Sequence, residues 1–303
     1  MDLKLDIFVH VLPTGLLNSV QEKVPNIIEE MPFLKIPALT DLKIRRNDFP
    51  TDVKQIISNV NLNPEDYFDP MQAAELCQSG NEELLEMATK NEDIFAGAVA
   101  MLPMNNIPKS LEIIDQQVLA NDKFIGVQLF TRAIGKSIAD VDFEPIFMKL
   151  AEANLPILLH PVFDTTKRDN NVTFSWEYEL TQAMNQIVKA GYFEKYPNLK
   201  IIVHHAGAMV PYFSQRIKYT MTSQEYQDFK KFYVDTAILG NSKALELAID
   251  FFGTEHMIFG TDAPFAVIPN GATKEIVTAI NEMKVSVQVK KDIFSNNLLK
   301  LIR

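Results

Sequence analysis

Ile201-Ile202-Val203-His204-His205-Ala206-Gly207 is the stretch on which the reading of this 303-residue chain turns. Three β-branched residues run directly into two imidazoles and a small-residue turn. That is a short buried strand carrying its polar groups at the carboxyl end. The pattern recurs in Asp6-Ile7-Phe8-Val9-His10 and in Ile157-Leu158-Leu159-His160-Pro161, and Met257-Ile258-Phe259 ends in Gly260-Thr261-Asp262. Imidazoles and a carboxylate at successive strand tips point to one pocket above a parallel sheet.

Working outward, short apolar runs at 4–10, 53–58, 95–102, 125–130, 157–160, 200–204, 232–235 and 257–260 read as strands. Helical patterns lie between them at 82–89, 107–119, 143–153, 177–190, 242–252 and 274–282. Eight strands alternating with helices predict an α/β fold, a (β/α)8 TIM barrel with its active site at the carboxyl ends of the strands. A doubly wound open sheet competes. Its dinucleotide-binding form is disfavoured, because no G-x-G-x-x-G turn follows the first strand. The chain reads as one barrel domain over 1–303. Residues 14–52, with Pro25, Pro32, Pro37 and Pro50, read as an insertion after the first strand that covers the mouth. Residues 165–175 form a second candidate lid. Asp142 is the expected cap of the helix at 143–153, and Gly191 the glycine that ends the helix at 177–190.

The formal net charge of −10 argues against a nucleic-acid binder, whose footprint would be a basic face. No uncharged apolar run approaches membrane-spanning length, and Asp2, Lys4 and Asp6 interrupt any secretory core at the amino terminus. A cytoplasmic location is therefore expected. The single cysteine, Cys77, reads as a small buried side chain rather than a nucleophile.

His10, His160 and Asp262 end the first, fifth and eighth predicted strands, so a barrel brings them to one mouth. Any one of them alone reads as a satisfied polar group at a strand end. Together they make a suitable ligand set for a divalent cation. Asp262 can also serve as a base or hold the 260–265 turn. His205, before the Ala206-Gly207 turn, reads as a further ligand or a general acid/base. By strand alternation His204 is expected on the opposite face, packed towards a helix. His256, at the start of its strand, is assigned no chemistry, and Asp235 is a weaker acid/base candidate.

Three segments carry a resemblance: Gly191-Tyr192-Phe193-Glu194-Lys195-Tyr196-Pro197 continuing to His205-Ala206-Gly207, Tyr233-Val234-Asp235-Thr236, and Gly260-Thr261-Asp262-Ala263-Pro264-Phe265. The chain resembles the amidohydrolase superfamily, in the branch of aminocarboxymuconate-semialdehyde, γ-resorcylate and 5-carboxyvanillate decarboxylases. The resemblance implies a barrel and one divalent metal, zinc first and manganese as the alternative, held by His10, His160 and Asp262. It gives His205 a catalytic or metal-proximal role, places Arg216 at a recurrent arginine, and suggests a homodimer. The branch normally begins His-x-His or Glu-x-His; here Phe8 stands in the first position and cannot ligate. No lysine ends the fourth strand, so a carbamylated two-metal bridge is not expected.

The leading expectation is decarboxylation of a small unsaturated or aromatic carboxylic acid. His205 and Asp262 would handle protons, and Arg46, Arg132 and Arg216 would be available to hold a carboxylate. Trp176 and Phe265 would stack on a ring. Metal-dependent hydrolysis of an ester, lactone or amide uses the same residues. A degenerate, non-catalytic ligand-binding barrel is the third reading.

Overall fold

The computed structural model describes residues 3–47, 49–164, 166–167 and 172–302. Seven strands form a parallel sheet in sequence order: β1 (Lys4–Val11), β2 (Val53–Asn59), β3 (Phe95–Ala100), β4 (Phe124–Phe130), β5 (Ile157–His160), β6 (Ile201–Val203) and β7 (Tyr233–Val234). The eighth expected strand is not a regular one. Met257 bridges Val234, and Ile258 N donates to Val234 O at 2.9 Å. On the other side Ile7 N donates to Phe259 O at 3.0 Å, Asp262 N to Phe8 O at 2.9 Å and His10 N to Ala263 O at 2.8 Å. Residues 257–263 thus bond to both edges, and the sheet curls round on itself. Asp6 pins this seam: its buried carboxylate accepts from Thr261 N at 2.9 Å and Thr261 Oγ1 at 2.5 Å.

Alternation along the strands divides the core into two layers. Leu5, Ile7, Phe8, Ile56, Val99, Leu158, Ile202 and Ile258 fill the interior of the curl. Val9, Ile57, Ala98, Leu159 and Val203 face outward against the helices. Each fully buried aliphatic of this kind contributes about 1.5–3 kcal/mol. The surrounding helices include α1 (Thr14–Lys23), α2 (Leu42–Arg46), α3 (Pro70–Lys90), α4 (Glu144–Glu152), α5 (Ser175–Lys189), α6 (Ser214–Thr220), α7 (Ser242–Phe252) and α8 (Thr273–Glu282).

Two local expectations change and a third holds. Helix α3 begins at Pro70, well before residue 82, because Asp69 caps the Met71 and Gln72 amides and proline suits the first helical turn. Asp142 is not the cap ahead of α4. Asp140 accepts from Asp142 N, and the Asp142 side chain pairs with Lys136. Gly191 does end α5, with φ +69°.

Residues 14–52 are tied to the sheet by the buried Arg45. Its guanidinium donates to Ala38 O at 3.0 Å, to Gln55 Oε1 at 2.9 Å and to His10 O. Burial lowers its pKa to about 9. Cys77 is buried in α3, where burial pushes its thiol pKa well up. Among the described residues, no helix is long and apolar enough to cross a membrane.

Candidate metal centre

Strand register decides which histidines meet. Leu158 pairs with Ile202 and Leu159 with Val203, so the next pair in line is His160 and His204. Ile202 faces the interior, and His204, two residues on, faces it too. This corrects the expectation that His204 packs towards a helix. His204 N still follows the ladder, donating to Leu159 O at 3.1 Å. The chain then leaves the strand: His205 and Ala206 adopt φ +55° and +54°. The break in alternation brings both imidazoles to one side, with ring centroids 4.1 Å apart. Gly207, at φ +77°, passes so close to α7 that a Cβ would lie 2.6 Å from the Phe252 ring.

One ligand atom each from His10, His160, His204 and Asp262 lies within 4.8 Å of all the others. Each imidazole is oriented by its Nδ1. That of His10 meets Ser58 Oγ at 3.1 Å, that of His160 meets Pro161 O at 2.7 Å, and that of His204 meets Asp235 Oδ2. Outward-facing Nδ1 partners leave Nε2 free, as in metal sites whose imidazoles are held by carbonyls or carboxylates. Asp235 is itself fixed, because its Oδ1 accepts from Ala206 N and Ala237 N, both at 3.0 Å.

The donor set fits a cation. His10 Nε2 and His204 Nε2 lie 3.2 and 3.4 Å from the same oxygen, Asp262 Oδ1. Both nitrogens are buried, and neither has the geometry of a hydrogen bond. Two unpartnered nitrogens converging on one carboxylate oxygen satisfy a shared ion better than they satisfy one another. Asp262 is held in the left-handed region at φ +59°, a conformation that marks functional positions when the surroundings enforce it.

Electrostatics within the cluster diverge. Burial lowers the pKa of His10 and, with the neighbouring imidazoles, that of His160 still further. Burial would lower His204 as well, but the carboxylates of Asp235 and Asp262 outweigh it and push the value up to about 10. Burial raises Asp262, and the close approach of His10 and His204 to its carboxylate reverses this, leaving it well below the ordinary range. Phe8 lies under the cluster, stacked on His204 with centroids 4.3 Å apart.

A cavity of about 570 Å³ opens above the cluster. His10, His160 and Asp262 face it, together with His205, Trp176, Glu177, Phe33 and Phe265. His205 Nδ1 meets Glu177 Oε1 at 2.6 Å. Glu177 had no signal in the sequence; it arrives on the first turn of α5. Trp176 and Phe265 line the cavity, but the three arginines do not. Arg46 binds Asp93 through two contacts of 2.9 Å at the amino-terminal end of β3. Arg132 binds Asp164 at 2.6 Å and lies 3.7 Å from Glu179. Arg216 is exposed on α6. Of the lid expected at 165–175, residues 165 and 168–171 fall outside the described residues; Val172 and Thr173 line the cavity.

A family model described as Amidohydrolase matches residues 28–303. The chain is 26% identical over 226 residues to the decarboxylase orsB of Emericella nidulans, covering 68% of this chain and 66% of that protein. It is 25% identical over 254 residues to 6-methylsalicylic acid decarboxylase of Penicillium expansum, covering 77% and 76% respectively. The structure superposes with a TM-score of 0.86, at 20% identity, on 5-carboxyvanillate decarboxylase from Novosphingobium aromaticivorans complexed with manganese and 4-hydroxy-3-methoxy-5-nitrobenzoic acid. That match covers 99% of this chain and 96% of the other.

Proposed function

Because the chain belongs to the amidohydrolase family, we propose that it is a metal-dependent decarboxylase of a small unsaturated or aromatic carboxylic acid. Its curled sheet would be a (β/α)8 barrel, with residues 14–52 as the insertion at the mouth. The observation that carries the reading is the convergence of three imidazoles and one carboxylate beneath a cavity lined by aromatic rings. It is supported by relatives that are decarboxylases along most of the chain.

His10, His160, His204 and Asp262 would hold one divalent cation, zinc or manganese; manganese is present in the structural neighbour. His204 supplies the donor that Phe8 cannot, from a strand on the other side of the interior. When bound, the cation polarises a substrate oxygen and neutralises carboxylate charge. This chain's own residues do the rest. Trp176 and Phe265 form walls suited to a flat ring. Glu177 occupies His205 Nδ1, which leaves Nε2 as the nitrogen able to hand a proton to the carbon that loses carbon dioxide. Asp262, shared between two imidazoles, serves as ligand rather than base.

The test is product analysis of the metal-loaded protein with hydroxybenzoic acids. Carbon dioxide plus the matching phenol supports the lyase. A new acid with an alcohol or amine, formed from esters or amides instead, supports the hydrolase reading. Neither product from a protein that binds metal leaves the non-catalytic barrel.

A further inference from the structure

We propose, on the metal-centre reading and independently of the reaction catalysed, that Arg45 is a positioning residue that couples the cation to the aromatic wall of the cavity. Arg45 sits on α2, within residues 14–52, and is only 2% exposed. Its guanidinium reaches three separate elements. Nε donates to Ala38 O at 3.0 Å ahead of α2, Nη1 to Gln55 Oε1 at 2.9 Å on β2, and Nη2 to His10 O on β1. Three N–H groups fixed in one plane hold Ala38, Gln55 and His10 in a set relation to one another.

The fork acts on both sides of the site. His10 is clamped through its backbone: its N–H donates to Ala263 O at 2.8 Å, next to Asp262, and its carbonyl accepts from Arg45. The imidazole follows that peptide, and a metal site tolerates ligand displacements of only about 0.2 Å. On the other side, Arg45 seats the chain that covers the mouth. Leu12 N donates to Leu39 O at 3.0 Å, beside Ala38. The same segment carries Phe33, which lines the cavity with its ring 5.0 Å from Phe163 and 6.2 Å from Phe265. A cation that fixes His10 therefore favours the seated segment, and the seated segment favours the cation by the same factor. Arg46, the next residue, clamps the same helix to the exposed Asp93 and touches neither His10 nor Ala38.

Manganese titration of Arg45→Met, Arg45→Lys and Arg46→Ala, each checked by circular dichroism, reads the coupling. Arg45→Met is expected to bind manganese about 10–100-fold more weakly, as on loss of other outer partners of a ligand. Arg45→Lys keeps the charge and part of the hydrogen bonding, and should recover part of that loss. Arg46→Ala breaks only a surface clamp and should stay within about threefold of the unmodified protein. Hydrogen exchange of the unmodified protein reads the same coupling without any variant. Manganese should slow the hydrogen-bonded amides of Leu39, Asp41 and Arg45 by at least about tenfold more than those of Leu119 and Phe124, which lie ahead of and at the start of β4. A folded Arg45→Met that binds manganese within about threefold of the unmodified protein, or equal slowing at both sets of amides, overturns the coupling and leaves the metal centre standing. Failure of the unmodified protein to bind either manganese or zinc overturns both.

Discussion

Asp235→Asn isolates the link between strand register and metal binding. The buried Asp235 carboxylate can only accept, so His204 Nδ1 must donate to it, and the Nε2 lone pair is left for the cluster. In the variant, one orientation keeps the amide oxygen on the Ala206 and Ala237 amides and turns the NH2 towards His204. Nδ1 then becomes an acceptor, and the neutral ring carries its proton on Nε2, facing Asp262. The flipped orientation preserves the His204 tautomer but opposes the NH2 to both buried amides, which in the unmodified protein donate to one oxygen, Asp235 Oδ1, at 3.0 Å. Leaving those two donors unsatisfied costs about 1–3 kcal/mol each. The first orientation should therefore prevail. Loss of an orienting partner weakens metal binding by about 10–100-fold, roughly 1.4–2.7 kcal/mol. Calorimetric titration of the metal-free protein with manganese measures it, with circular dichroism verifying the fold. A folded variant that binds manganese with undiminished affinity would refute the claim that His204 is a ligand oriented by Asp235.

Further predictions concern proton transfer, pH and backbone. His205→Asn should retain the metal and lower kcat by about 10²–10⁴-fold, and Glu177→Gln should lower it less, both read by carbon dioxide release. Because the metal-free site pushes His204 up to about 10, uptake of the cation near pH 7 should expel about one proton. Affinity should then rise about tenfold per pH unit between pH 7 and 9, and buffers of different ionisation enthalpy will expose that proton. The same shift gives the sign for stability without metal. The His204 contribution is complete below its unfolded value of about 6.5 and is lost as pH rises towards 10. His10 and His160, shifted downward, are neutral in both states across that window. Melting of chelator-treated protein should therefore fall between pH 7 and 10. Gly207→Ala combines a left-handed backbone with a Cβ pressed on Phe252 and should cost about 2–4 kcal/mol by chemical denaturation.

Much of this architecture was legible in the primary structure because buried parallel strands advertise themselves as short β-branched runs. Polar groups at their carboxyl ends are conspicuous against them, and His10, His160 and Asp262 were found that way. His204 was misassigned because parity was counted from His205, which lies beyond the strand in a left-handed turn. Counting from the Leu158–Ile202 pair gives the observed face. Glu177 could not be found, since its partner His205 lies 28 residues away and is reached only through the packing of α5. The start of α3 lies ahead of the 82–89 pattern because Asp69 caps the helix and Pro70 suits its first turn. The arginines illustrate the opposite failure. Charge type was readable, but Arg46 and Arg132 are claimed by carboxylates that only the tertiary structure brings near.

The central claim is that His10, His160, His204 and Asp262 surround one cation. Anomalous diffraction from crystals of the zinc- or manganese-loaded protein tests it most directly. The expected result is a single strong peak about 2.0–2.2 Å from His10, His160 and His204 Nε2 and from a carboxylate oxygen of Asp262. A peak outside this cluster, or one that His204 does not reach, would contradict it.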